Sequence, residues 1–182
     1  EKSEIRNPKS EIKKTTKLVL LPGSRSDELR RHLPVVLEAF KLIRKQAPNV
    51  AAKMVLPSET MATRVKLSGL PAGLEIQIGD LASALAESDV AITKSGTVTL
   101  ECAAAGLPAV VFYKTSWPTY WIGRQIVKVN YLAMPNLLAD SELYPEFIQG
   151  EATPKNIATA ALDLMCDESR RTDLKGRLEK II

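Results

Sequence analysis

The sequence is poor in the residues on which many catalytic scaffolds depend. It has two cysteines, Cys102 and Cys166, in 182 residues, too few for a disulfide framework and in keeping with a reducing compartment. His32 is its single histidine, which excludes a multi-histidine metal site and removes the commonest general base. No apolar run approaches the roughly 18 residues that a bilayer span needs, and no signal-peptide pattern opens the chain. Neither G-x-G-x-x-G nor G-x-x-x-x-G-K-[ST] occurs, so dinucleotide-oxidoreductase and P-loop readings lack support. There is no internal repeat and no low-complexity tract.

What is present is an ordinary globular composition, 45% hydrophobic and 25% charged, at a length that suits one domain with a sizeable core. The net charge of +4 suggests a nucleic-acid or membrane partner until it is located. Residues 1–17 hold six Lys/Arg against three Glu, and the other 165 residues hold nineteen basic against eighteen acidic groups. The excess belongs to a polar tail or linker over 1–16, and the domain over 17–182 is nearly neutral. No nucleic-acid footprint is expected, because that would need clustered Lys/Arg inside the folded part.

The hydrophobic pattern alternates short apolar runs with helical spacing. Strands are expected over Lys17–Pro22, Ala51–Leu56, Leu74–Ile78, Asp89–Thr93 and Pro108–Tyr113. Helices are expected from Ser26 or Asp27 as cap to Gln46, from Ser58-Glu59 to Ser68-Gly69, over Leu81–Glu87, and over Thr97–Ala105 before Gly106. Beyond the fifth strand the pattern predicts an aromatic-rich helix over Trp117–Val129 and no clear period over Tyr131–Leu138. It predicts further helices over Leu143–Ile148, from Thr153-Pro154 to Cys166, and over 167–180. Near-continuous apolar strands separated by helices imply a doubly wound, Rossmann-like α/β domain with a parallel sheet. Ligands of such sheets sit at the carboxyl ends of the strands.

Three places could carry chemistry there. Pro22-Gly23-Ser24-Arg25 with Glu28 offers a tight turn, backbone N–H groups for an anion and a bidentate guanidinium; the alternative is a capped helix with Arg25 paired to Glu28 at i, i+3. Ser95-Gly96-Thr97 with Glu101 offers a second small-residue turn with a carboxylate one helical turn deeper, an arrangement of the size of a diphosphate and its ribose; the alternative makes Thr97 a cap and Glu101 a solvated charge. Asn136, in Met134-Pro135-Asn136-Leu137-Leu138 with Glu142 downstream, reads either as a loop side chain aimed at a ligand or as a turn residue.

Taken in order, Pro-Gly-Ser-Arg at 22–25 with Glu28, Ser-Gly-Thr with Glu at 95–101, and Pro-Asn-Leu-Leu at 135–138 resemble the C-terminal half of the lipid-A-disaccharide synthases, family 19 glycosyltransferases of the GT-B fold. The resemblance runs from about Lys17 to the chain's end. It implies transfer of 2,3-diacylglucosamine from its UDP donor to 2,3-diacylglucosamine 1-phosphate (lipid X), giving a β-1,6 disaccharide for lipid A and UDP. It further implies no cofactor and no metal, a place in the bacterial cytoplasm at the inner-membrane surface, and a homodimer.

By the same resemblance Arg25 meets the UDP diphosphate or the acceptor phosphate and counts with Asn136 as catalytic, Asn136 lining the cleft beside the donor sugar. Gly23, Ser24, Ser95, Gly96 and Thr97 would form the diphosphate cradle, Glu101 would hold the ribose, and Glu28 would orient Arg25. The family's acceptor half, acidic base and acyl-chain surface match nothing in this chain. The expectation is a donor-binding half, a fragment or truncated gene product, that binds UDP weakly and is inactive alone. The alternatives are another UDP-GlcNAc-using enzyme of this fold, such as a 2-epimerase, and a non-catalytic interaction module. Trp117, Tyr120 and Trp121, at i, i+3 and i+4, read as core or interface, or as membrane contacts.

Overall fold

A computed structural model of the chain describes residues 16–116 and 131–182. The tail and the aromatic segment around Trp117–Val129 lie outside the described residues. Six strands form one sheet: β1 (Lys17–Leu21), β2 (Ala51–Leu56), β3 (Leu74–Ile78), β4 (Val90–Lys94), β5 (Ala109–Tyr113) and β6 (Glu146–Ile148). Their order is β3-β2-β1-β4-β5-β6, every pairing parallel. The chain winds outward from β1 to β3, then returns to place β4 on the other side of β1. The carboxyl ends of β1 and β4 are therefore the topological switch point, where a doubly wound sheet opens a crevice.

Seven helices are described: α1 (Ser26–Gln46), α2 (Glu59–Leu67), α3 (Leu81–Ala86), α4 (Val98–Ala104), α5 (Met134–Ala139), α6 (Pro154–Cys166) and α7 (Glu168–Leu178). The two-residue period of the strands divides the apolar residues between the sheet's faces. Leu18, Leu20, Met54, Ile92 and Phe112 face α1 and α6, where Phe40, Ile43, Ile157 and Leu164 are buried. Val19, Leu21, Ala91 and Val111 face the other way, onto Cys102, Tyr144, Leu174 and Leu178. Each large side chain so buried stabilises the fold by about 1.5–3 kcal/mol over leaving it exposed. No described helix is long and apolar enough to cross a membrane.

Most expected elements lie within a residue or two of their predicted bounds, and the differences have identifiable causes. Arg25, rather than Ser26 or Asp27, stands at the N-cap of α1, and its side chain makes no capping bond; Asp27 and Glu28 occupy the first turn, where negative charge suits the helix dipole. Thr97 is the N-cap of α4, also without a side-chain capping bond. Residues 134–139, which showed no clear period, form α5 with Pro135 in its first turn. The helix expected over Leu143–Ile148 is instead β6. Pro145 has no N–H to give a helix, but its carbonyl accepts from Val111 N (2.9 Å), and Glu146, Phe147 and Ile148 pair with Val111, Phe112 and Tyr113. All three β6 residues are only half-buried, so the strand lacks the apolar run by which the inner strands are recognised.

Candidate functional site

The loops after β1, β2, β3 and β4 enclose a cleft of about 310 Å³. Gly23 and Ser24 line it from the first loop, Pro57 from the second, Gly79 and Asp80 from the third, and Lys94, Thr97 and Glu101 from the fourth. Leu21, Val55, Leu56, Leu81 and Val98 give it an apolar wall. Two of the three sequence motifs, separated by some seventy residues, thus meet at the switch point.

The centre of this meeting is an ion pair. Lys94 Nζ lies 3.2 Å from Glu28 Oε1, with both side chains 18% exposed. Glu28 Oε2 accepts the backbone N–H of Ser24 at 3.3 Å. Burial by itself would raise the Glu28 carboxyl, but its bond to Lys94, the Lys94 charge, the Ser24 N–H and the nearby Arg25 outweigh it and hold the group below its ordinary value. Glu28 therefore does not pair with Arg25 at i, i+3, as local spacing allows; its partner is 66 residues away. At Gly23-Ser24, which line the cleft, the Ser24 N–H already serves a carboxylate of the chain.

Both turns place glycine against this pair, on backbones that favour it. Gly23 has φ +129°, and a Cβ there would lie 2.7 Å from Glu28 Oε2 and 2.9 Å from Glu28 Cβ. Gly96 has φ +142°, and a Cβ there would lie 2.9 Å from Lys94 Nζ. Both backbones are outside what L side chains adopt readily.

The remaining expected residues are placed as follows. Arg25 is exposed beside the rim, does not line the cleft, and forms no ion pair among the described residues. Thr97 and Glu101 line the cleft and are exposed; the Glu101 carboxylate has no hydrogen-bond or ion-pair partner among the described residues. Ser95 turns away, its Oγ donating to Leu132 O at 2.9 Å.

Asn136 is corrected from a loop residue lining the cleft to a fully buried residue of α5. Its Oδ1 accepts from Leu143 N (2.9 Å) and Tyr144 N (2.8 Å), and its Nδ2 donates to Tyr144 O (2.8 Å) and Glu146 Oε1 (2.7 Å). All four hydrogen-bonding positions of the amide are used, leaving none for a ligand. Its reach to the site is indirect. Glu146 also accepts from Leu132 N and Ala133 N, each at 2.8 Å. The segment so held receives Ser95 Oγ and gives Met134 N to Thr99 Oγ1 (3.3 Å), which in turn donates to Gly96 O (2.7 Å). Pro-Asn-Leu-Leu thus braces the Ser95–Thr97 turn from behind.

Three contributors were missed in the sequence. Lys94 closes a strand that ends one residue later than expected. Glu146 sits between Pro145 and Phe147, a charge among bulky residues that marks a half-buried acceptor more readily than a helix. His32 is fully buried, its Nδ1 donating to Pro22 O (2.7 Å) and its Nε2 facing the Lys114 backbone, with Lys114 N at 3.3 Å and O at 3.0 Å. It ties the loop after β1 to the loop after β5 and does not line the cleft. Burial outweighs these carbonyl contacts and lowers its pKa. The unfolded chain therefore takes up this proton first as pH falls, and the stability present above about pH 6.5 is lost as the pH drops toward the folded-state value.

Similarity to known proteins is in line with this geometry. The chain matches the family model described as lipid-A-disaccharide synthetase over residues 1–182. It is 36% identical over 168 residues to the lipid-A-disaccharide synthase of Nitrosococcus oceani, covering 90% of this chain and 43% of that protein; the chain thus spans less than half the length of that relative. Among solved structures, WaaG, a glycosyltransferase involved in lipopolysaccharide biosynthesis, matches with a TM-score of 0.59 at 16% identity, over 93% of this chain and 43% of that one. The calicheamicin glycosyltransferase CalG4 matches with a TM-score of 0.58 at 20% identity, over 91% and 37%. At those identities the structures speak for the fold alone, the Rossmann-like unit of GT-B glycosyltransferases, while the sequence match reaches further: this chain belongs to the lipid-A-disaccharide synthetase family.

Proposed function

We propose that the chain is the donor-binding unit of a lipid-A-disaccharide synthase. It would take UDP-2,3-diacylglucosamine and present the sugar to 2,3-diacylglucosamine 1-phosphate held by a second, acceptor-binding unit. The observation that carries this reading is the convergence of Gly23, Thr97 and Glu101 on one cleft at the switch point. The diphosphate lies along the Ser95–Thr97 turn, whose Gly96 leaves the backbone uncovered, and the base lies against the apolar wall of Val55, Leu56, Leu81 and Val98. Glu101, a carboxylate without a partner among the described residues, accepts the two ribose hydroxyls.

Breaking the glycosidic bond leaves negative charge on UDP. Arg25, exposed at the rim and without an ion pair among the described residues, can swing to that charge, so the reading assigns leaving-group stabilisation to a side chain rather than a metal. No carboxylate at the cleft is assigned as general base; Glu28 is held by Lys94 and Ser24, Asp80 caps α3 by accepting from Ser83 N, and Glu101 is taken up by the ribose. The chain by itself then binds donor without transferring it. In the complete enzyme the acyl chains of both substrates would bring the protein to the cytoplasmic face of the inner membrane, and a homodimer fits the same reading.

The ribose assignment is tested by isothermal titration of the 182-residue chain with UDP and with 2′,3′-dideoxy-UDP. A hydrogen-bonded pair involving a charged group is worth about 1.5–3 kcal/mol, so UDP is expected to bind at least about tenfold tighter. In Glu101→Ala the two ligands are expected to bind alike. Equal binding of both to the unaltered chain would remove Glu101 from the ribose.

A further inference from the structure

The donor reading leaves Lys94 without a task. Its ammonium lines the cleft and is the one cation doing so among the described residues, in company with Asp80 and Glu101. Glu28 engages one of its three N–H donors, and no second hydrogen-bond partner exists among the described residues. The ion pair is a dipole with a defined direction. Its negative end lies under Gly23, where a Cβ would meet Glu28 Oε2 at 2.7 Å, and its positive end under Gly96, where a Cβ would meet Lys94 Nζ at 2.9 Å. Of the two turns at the switch point, one thus has its backbone donor engaged by a carboxylate, and the other has an ammonium against it. An anion is repelled from the first and attracted to the second. It would also meet two carboxylates in the cleft with no lining cation but Lys94 to offset them.

We infer that Lys94 is a binding residue for the diphosphate, contacting a phosphate oxygen over the Gly96 turn, and that Glu28 is the positioning residue that aims it. The inference rests on the reading of the cleft as a nucleoside-diphosphate site. Glu28 limits the rotamers of a long, flexible stem, so less freedom is lost when the ligand arrives. Lys94 keeps Glu28 on one N–H and gives another to the phosphate, and no proton changes hands.

The test compares uridine with UDP on the 182-residue chain, since only UDP carries the anion. In Lys94→Met the affinity for UDP is expected to fall about tenfold or more, as for a lost charge-assisted contact, with uridine affinity unchanged. Lys94→Arg is expected to recover most of the loss. A merely structural lysine would change both ligands together. Should Lys94→Met not fold, reductive methylation of the unaltered chain gives the same answer: UDP slows modification of Lys94 severalfold, and uridine does not. UDP binding that survives Lys94→Met, or that leaves Lys94 methylation unaltered, overturns the assignment of Lys94 alone. Failure of the unaltered chain to bind UDP at all overturns the donor reading beneath it.

Discussion

Asn136→Ala is expected to lower the unfolding free energy by about 3–4 kcal/mol, read by chemical denaturation of the purified chain. The substitution removes an amide whose four hydrogen bonds are all buried or half-buried. Leu143 N and Tyr144 N lose their acceptor at a site with no exposed surface. Asn136→Asp is expected to be no better. Its carboxylate would stand where Nδ2 now meets Glu146 Oε1 at 2.7 Å, replacing a donor with a like charge. A residue placed to touch substrate would behave differently, since alanine would spare stability and reduce binding alone. A variant as stable as the unaltered chain would therefore return Asn136 to the cleft.

Gly23→Ala is expected to cost about 2–4 kcal/mol, more than Gly96→Ala at about 1–2 kcal/mol, although both positions have strained positive φ. The difference lies in what the new methyl meets. At Gly23 it strikes Glu28 Cβ at 2.9 Å, an atom fixed to the α1 backbone, so the loop or the helix must shift. At Gly96 the nearest atom is Lys94 Nζ, the far end of a flexible side chain that can swing aside. Urea denaturation of the two variants ranks them, and equal costs would mean that backbone strain alone governs both turns. Gly96→Ala should still weaken UDP binding, because the methyl covers the backbone that faces the phosphate and displaces the ammonium beside it.

The contrast between Asn136 and Glu28 shows where reading the sequence stops. Spacing along the chain assigns residues to faces, so β1, β4 and β5, buried on both sides, the alternating β2 and α1 with its wide apolar stripe were legible within a residue or two. Partners brought by sheet order were not. Glu28 has Arg25 three residues before it, yet β1 and β4 lie side by side and deliver Lys94. Asn136 belongs to a motif that marks the site, and the motif was legible, but its four partners follow from a turn at 140–145 and a three-residue edge strand. Neither has a hydrophobic period to announce it. The cleft residues Thr97 and Glu101 could be read because a strand, a glycine turn and a helix place them by local geometry alone.

The most direct test of the account is a backbone amide NMR titration of the 182-residue chain with UDP. A donor site at the switch point gives saturable shifts concentrated at Gly79–Leu81 and Gly96–Glu101, with α6 and α7 unmoved; a spectrum unchanged at millimolar UDP, or shifts centred away from the β1–β4 switch point, would rule such a site out.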